Sequence, residues 1–322
     1  MLKKLLAGCA ALAVAFAAAA EDYPTHTISV VVPFAPGGPT DTVTRLIGQA
    51  MSKSLGQTVI VENAAGAGGT IGVEKVVRAK PDGYTLLLMH IGISTAPSLY
   101  RNLRYDPTKD LEPIGLVTNV PMTVIANKDF PPKDMKELIA YVKANKDKVT
   151  YANAGVGAAS HLCGMLLMTA IGTDVTTVPY KGTGPALTDL MGGQVNFMCD
   201  QTTNTTPQIK GGKVKAYAVT TKERLKSLPD VPTAEEAGLK GFEVTVWHGM
   251  WAPKGTPKPV IDKLVQALHA ALKDPNVVQR FAELGTEPVP QNLATPPALE
   301  AHLKSEIAKW APIIKKAGVY AD

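Results

Sequence analysis

I-S-V-V-V-P-F-A-P-G-G-P-T-D, from Ile28 to Asp41, together with the helix-patterned stretch after it, decides the fold class. Ile28 to Val32 is a short apolar strand and Pro33 to Asp41 is a glycine turn. Val43, Leu46, Ile47, Ala50 and Met51 then recur at helical spacing until Gly56. Gly37 and Gly38 present no Cβ to a ligand, and the first N–H groups of a helix have no partner inside it. A strand C-terminus that runs into a helix N-terminus in this way suits a carboxylate or a phosphate. An ordinary βα turn capped by Thr40 or Asp41 has the same pattern.

A second copy favours the first reading. Val149–Asn153 reads as a strand, A-G-V-G-A-A-S-H from Ala154 to His161 as a turn, and Leu162, Leu166, Leu167 and Ala170 as one side of a helix. Gly155-x-Gly157-x-x-Ser160 approaches the dinucleotide fingerprint. Its third glycine is a serine, however, and the next strand ends at Tyr180 with no acid placed for a ribose. A second anion cradle, with Ser160 adding a hydroxyl donor, fits better. Two cradles, one per lobe, would grip a small acid from both ends across a cleft.

The surroundings agree with a secreted α/β protein. Residues 1–20 read as a secretory leader: Lys3 and Lys4, an apolar run from Leu5 to Phe16, then Ala18-Ala19-Ala20 before Glu21. The mature chain is expected to start near Glu21, in the periplasm. Leu6-Ala7-Gly8-Cys9 looks like a lipoprotein box, but it would leave almost no apolar region upstream. The net charge of +5 falls by two when Lys3 and Lys4 are removed, too little to attract nucleic acid and compatible with anionic ligands. The roughly 300 residues that remain exceed one small core, so two lobes are expected. Apolar residues make up 45% and aromatic ones 6% of the chain, an ordinary α/β composition.

Strands are expected at Val59–Val61, Thr85–Met89, Leu116–Val117, Thr123–Ile125, Val149–Tyr151, Thr177–Val178, Val195–Met198 and Lys215–Val219. Thr256-Pro257, Asp274-Pro275 and Thr295-Pro296 open three late helices. Catalytic motifs are missing: there is no G-x-S-x-G, H-E-x-x-H or C-x-x-C. The alternative to a binding protein is a secreted hydrolase using Ser160 and His161, but neighbours in sequence do not place a base against a nucleophile. No metal and no cofactor are expected.

In the order and spacing of its motifs the chain resembles the Bug family, the periplasmic solute-binding proteins of tripartite tricarboxylate transporters. The matching pieces are P-F-A-P-G-G-P-T-D at 33–41, E-N-A-A-G-A-G-G-T-I-G at 62–72, P-D-G-Y-T-L-L at 81–87 and L-Y-R-N-L-R-Y-D-P-T-K-D-L at 99–111. They continue with V-P-Y-K-G-T-G-P-A-L-T-D-L at 178–190, G-G-Q-V at 192–195, L-P-D-V-P-T at 228–233 and W-A-P-K-G-T-P at 251–257.

The resemblance implies a two-lobed type II periplasmic binding protein, α/β in class, each lobe a mixed sheet flanked by helices. Lobe one would comprise 21–125 and 246–322, and lobe two 126–245. Such a monomer would capture a small carboxylate, a dicarboxylate or an aromatic one, and deliver it to membrane subunits. Phe34, Ala35, Gly37, Gly38, Thr40 and Asp41 would form the lobe-one side of the pocket, with Gly68 and Gly69 supplying further backbone donors. Gly157, Ala158, Ala159, Ser160 and His161 would be the lobe-two carboxylate clamp, and Asp200 would lie at the strand end that closes the pocket.

Three readings of particular residues stay open between two outcomes. Asp200 either accepts from a ligand hydroxyl or ammonium or caps the following helix. His90, at a strand end, either meets a carboxylate or is a core histidine bonded to backbone. Many relatives carry asparagine where this chain has Ala96, while Ile91 and Ile93 would add an apolar wall that favours a less polar, even aromatic, ligand. Lys181 either steers anions or is a solvated loop lysine. Cys163 and Cys199 are expected to be free thiols, because helix and strand of one layered lobe are commonly too far apart for a bridge.

Overall fold

The computed structural model describes residues 23–321; the leader and cysteine box expected at the start of the chain lie outside the described residues. Strand β1 (Ile28–Val32) runs between β2 (Val59–Asn63) and β3 (Thr85–His90), parallel to both. Ile28, Val30, Val31 and Val32 are buried, as β-branched residues covered on both sheet faces should be. β9 (Thr245–Pro253) pairs antiparallel with β3, and β4 (Leu111–Asn127) pairs antiparallel with β9.

The second lobe repeats this order. β5 (Thr150–Asn153) lies between β6 (Thr176–Pro179) and β7 (Phe197–Gln201), parallel to both. The far half of β4 pairs antiparallel with β7, and β8 (Val214–Val219) pairs antiparallel with β4. The orders 2-1-3-9-4 and 6-5-7-4-8 are one pattern used twice, with β4 shared.

β4 is a single strand of 17 residues where two short ones were expected. Its partner is β9 from Leu111 to Pro121 and β7 from Met122 to Ala126. Pro113, Gly115 and Pro121 obscure its continuity in sequence, and the register slips beside the first two. β9 was not foreseen: T-V-W-H-G-M-W-A-P is buried except at Thr245 and shows no alternation.

The helices are α1 (Pro39–Leu55), α2 (Thr70–Val77), α3 (Gly92–Leu99), α4 (Met135–Ala144), α5 (Ala159–Ile171), α6 (Thr183–Met191) and α7 (Thr202–Lys210), followed by α8 (Lys258–Lys273), α9 (Pro275–Glu283) and α10 (Pro296–Ala317). The three proline-marked starts are where the sequence puts them. Asp274 caps α9, accepting from the Asn276 N–H at 2.9 Å and the Val277 N–H at 3.4 Å. α8 buries Val260, Ile261, Leu264, Leu268 and Leu272, and α10 buries Leu299, Leu303, Trp310 and Ile314.

The cysteines overturn the free-thiol expectation. Cys163 of α5 and Cys199 of β7 form a disulfide with a Cα–Cα distance of 6.1 Å, inside the range a bridge accepts. Gly164 explains the close approach. A Cβ there would stand 2.3 Å from Cε1 of Tyr151, so only glycine lets α5 settle this near the sheet.

Candidate functional site

Four parallel strands, two from each lobe, end at the same place. β1 runs out into Phe34 and the turn before α1, β3 ends on His90, β5 feeds the turn before α5, and β7 ends on Asp200 and Gln201. The cavity there is lined by Phe34, Gly38, Pro39, Thr40 and His90 from lobe one. Lobe two contributes Ala159, Ser160, Thr183, Asp200 and Gln201. The walls close to about 20 Å³, roughly the room one water needs. A larger open groove, about 600 Å³, runs between residues 221–227 and 282–290. Among the described residues no first-turn residue of a helix lines it, and two of its cations are paired, Arg224 with Glu236 and Lys222 with Glu243. Convergent chemistry, not size, distinguishes the small cavity.

Helix N-termini supply most of that chemistry. α1, α5, α6 and α7 begin at the cavity after Gly38, Ala158, Gly182 and Gln201, and among the described residues no side chain caps any of them. Their first N–H groups are therefore available to an anion, reinforced by four helix dipoles. No lysine or arginine lines the cavity among the described residues. Negative charge placed here is met by oriented amides.

Side chains add donors whose protonation follows from geometry. Nδ1 of His90 accepts from the Gly92 N–H at 3.0 Å, so the neutral ring carries its proton on Nε2. Burial pushes the His90 pKa down to about 3, and the ring stacks on Phe34 at 4.7 Å. Behind it, His248 Nε2 lies 3.3 Å from the Thr40 hydroxyl. Ser160 Oγ accepts from the Ala154 N–H at 2.9 Å, which leaves its own O–H to donate elsewhere. Asp200 differs in kind. Its Oδ2 accepts from Asn204 at 2.6 Å, its Oδ1 has no partner among the described residues, and burial pushes its pKa up to about 7.

The other expected site residues surround this cavity without lining it. The Ala35 N–H donates to the Lys181 carbonyl at 2.9 Å, so the backbone of Lys181 joins the lobes while its side chain is exposed. Asp41 faces its own turn, accepting from the Gly37 N–H at 3.0 Å and pairing with Arg45 at 2.9 Å. Burial opposes ionisation of Asp41, yet hydrogen bonds from Arg45, Gly37 and Asn63 hold its pKa below the usual value. Gly68 lies on the lobe seam, where a Cβ would stand 2.0 Å from the Val156 carbonyl oxygen. Gly69 packs behind Phe34 and Met89. Ala158 is the buried N-cap of α5, and the Gly157 carbonyl accepts from Thr95 Oγ1 at 3.2 Å. His161 turns its Nδ1 to the Gly157 N–H at 3.3 Å.

Ile91 and Ile93 form no wall: both are buried in the core and neither lines the cavity, so the aromatic hint loses its basis. Pro39, Thr183 and Gln201 were missed. Thr183 sits in K-G-T-G-P, a third strand-to-helix glycine turn that deserved the same reading as the first two. Gln201 carries no local signal.

Known proteins place this geometry in a family. Residues 43–319 match the tripartite tricarboxylate transporter family receptor, TctC. The chain belongs to the tripartite tricarboxylate transporter receptors. It is 59% identical to BugD, a periplasmic binding protein, over 93% of this chain and all of that one, with a TM-score of 0.91. MatC of Rhodopseudomonas palustris, solved with bound malate, is 45% identical over 91% of this chain and all of MatC, with a TM-score of 0.87. Rpa4515 of R. palustris, solved with adipate, is 33% identical over 93% of this chain and 99% of that one, also with a TM-score of 0.87. In this chain the cavity lies between the two halves of one α/β fold.

Proposed function

We propose that this receptor captures a small carboxylate between its lobes in the periplasm and delivers it to the membrane subunits of its transporter, acting as a monomer and not as an enzyme. The observation that carries this is the convergence of four uncapped helix N-termini, α1 from one lobe and α5, α6 and α7 from the other, on a cavity without a lysine or arginine. A carboxylate satisfies donors from both lobes at once, so binding favours closure. The lobes we assign are 21–125 with 246–322, and 126–245, with the boundary running through β4. Malate on MatC and adipate on Rpa4515 support the same ligand class.

The hydrolase alternative gains nothing from the geometry. Ser160 Oγ and His161 Nδ1 each accept from backbone N–H groups, and no hydrogen bond joins the two side chains among the described residues. The reading is tested by thermal-shift screening of mono-, di- and tricarboxylates on the mature chain. A ligand at about 100 times its dissociation constant adds roughly 2.7 kcal/mol, a clear rise in melting temperature. If neutral sugars or peptides stabilise the protein and no carboxylate does, the proposal fails.

A further inference from the structure

The cavity that welcomes an anion also holds acceptors that an anion cannot satisfy. Asp200 is 1% exposed and Gln201 3% exposed; Oδ1 of the one and Oε1 of the other have no hydrogen-bond partner among the described residues. Both residues line the cavity, at the end of β7 where α7 begins. A buried acceptor without a donor is costly, and a second carboxylate would oppose it rather than satisfy it. His90 and Ser160 bond neither atom, and although the Thr183 hydroxyl and the Gln201 N–H partly offset the effect of burial on Asp200, Oδ1 itself has no hydrogen bond among the described residues.

We infer that the ligand is a carboxylate carrying a hydrogen-bond donor, an ammonium or a hydroxyl, within a bond or two of the carboxyl carbon, and that Asp200 with Gln201 selects it. This rests on the carboxylate reading above. The helix N-termini hold the carboxylate; the donor points at Asp200 Oδ1 and Gln201 Oε1. An ammonium has three N–H groups and can satisfy both acceptors, whereas a single hydroxyl satisfies one. The confined space keeps donor and carboxylate close together. Selection of this kind is sharp, because an analogue lacking the donor leaves buried acceptors unpaired.

The test uses matched triplets at three chain lengths, with dissociation constants from calorimetry: propionate, lactate and alanine; succinate, malate and aspartate; glutarate, 2-hydroxyglutarate and glutamate. In at least one triplet the donor-bearing members should bind tenfold or more tighter than the plain acid. Asp200→Ala should reduce that ratio to within about twofold by weakening the donor-bearing members. Asp200→Asn, nearly isosteric and so a guard against misfolding, should weaken the amino acid more than the hydroxy acid if an ammonium is the natural donor, and both alike if it is a hydroxyl. Plain acids that bind as tightly as their substituted partners would overturn the inference and leave the carboxylate reading intact. Failure of all nine compounds also overturns it, and the wider carboxylate screen then decides the underlying reading independently.

Discussion

The amide of Ala35 donates to the carbonyl of Lys181 at 2.9 Å, tying the turn before α1 in one lobe to the turn before α6 in the other. Tyr100 Oη adds a bond to the Val156 carbonyl at 2.9 Å, and Thr95 Oγ1 one to the Gly157 carbonyl at 3.2 Å. In each, the lobe-two partner is a main-chain carbonyl, so the seam depends on how closely the two backbones approach.

Gly184→Val should therefore impair closure. A Cβ at Gly184 would stand 2.7 Å from the Pro36 oxygen. Affinity for a carboxylate ligand should fall tenfold or more, with a melting temperature for the ligand-free protein within a few degrees of wild type. Gly37→Ala should do the opposite. Gly37 has φ +79° with nothing within 4 Å of a Cβ, so the change strains the turn by about 1–2 kcal/mol without obstructing the other lobe. The sequence treats Gly37 and Gly38 as equivalent; the structure does not, since Gly38 has φ −89°. Calorimetry and thermal melts on both variants check this, and unchanged affinity in Gly184→Val would refute a backbone-limited seam.

The disulfide gives a second prediction. Cys163 and Cys199 are separated by 36 residues, and closing a loop of that length stabilises the folded chain by about 3–4 kcal/mol in the chain-entropy model. Urea denaturation of the wild type with and without a thiol reductant should differ by that order. Ligand affinity should fall as well, because the bridge joins the first turns of α5 to the residue beside Asp200. Coincident oxidised and reduced denaturation curves would show the pair to be inert.

Stability should depend on pH in two opposed ways. The folded pKa of Asp200, about 7, exceeds the unfolded value of about 4, so its contribution is greatest below pH 4 and is lost as pH rises toward 7. His90 has a folded pKa of about 3 against about 6.5 unfolded, so its contribution is present above pH 6.5 and is lost as pH falls toward 3. His248, lowered by burial and by His90, acts in the same sense as His90. Asp200→Asn should raise the melting temperature by several degrees at pH 8 and by much less at pH 4. A gain that is equal at both pH values would mean that Asp200 titrates alike in the folded and the unfolded protein.

What the sequence revealed follows a physical division. β1 with α1 and β5 with α5 are local units, each a strand, a glycine turn and a periodic helix, and they were legible because one window contains the whole pattern. The topological repeat behind them was not, since its shared strand β4 and the returning β9 pair across a sequence separation no window spans. In the site, Phe34, Gly38, Thr40, Ala159 and Ser160 were readable from their turns. Gln201 and the disulfide depend on how α5, β7 and α7 pack, and only Asp200 marked that region in advance.

Ser160 separates binding from catalysis. Its Oγ accepts from the buried Ala154 N–H, and its carbonyl accepts from Tyr151 Oη at 2.6 Å, so the residue is fixed at the first turn of α5. Ser160→Ala removes both the acceptor for Ala154 and the O–H available to a ligand. An unpaired buried N–H costs about 1–3 kcal/mol, and a charged acceptor losing a donor loses a similar amount. The variant should thus melt lower and bind carboxylate roughly tenfold more weakly. The wild type should show no turnover of p-nitrophenyl esters or anilides, because His161 Nδ1 is engaged by Gly157 and, among the described residues, no side-chain base is hydrogen-bonded to Oγ. Saturable hydrolysis by the wild type that disappears in Ser160→Ala would make this protein an enzyme and reverse the assignment.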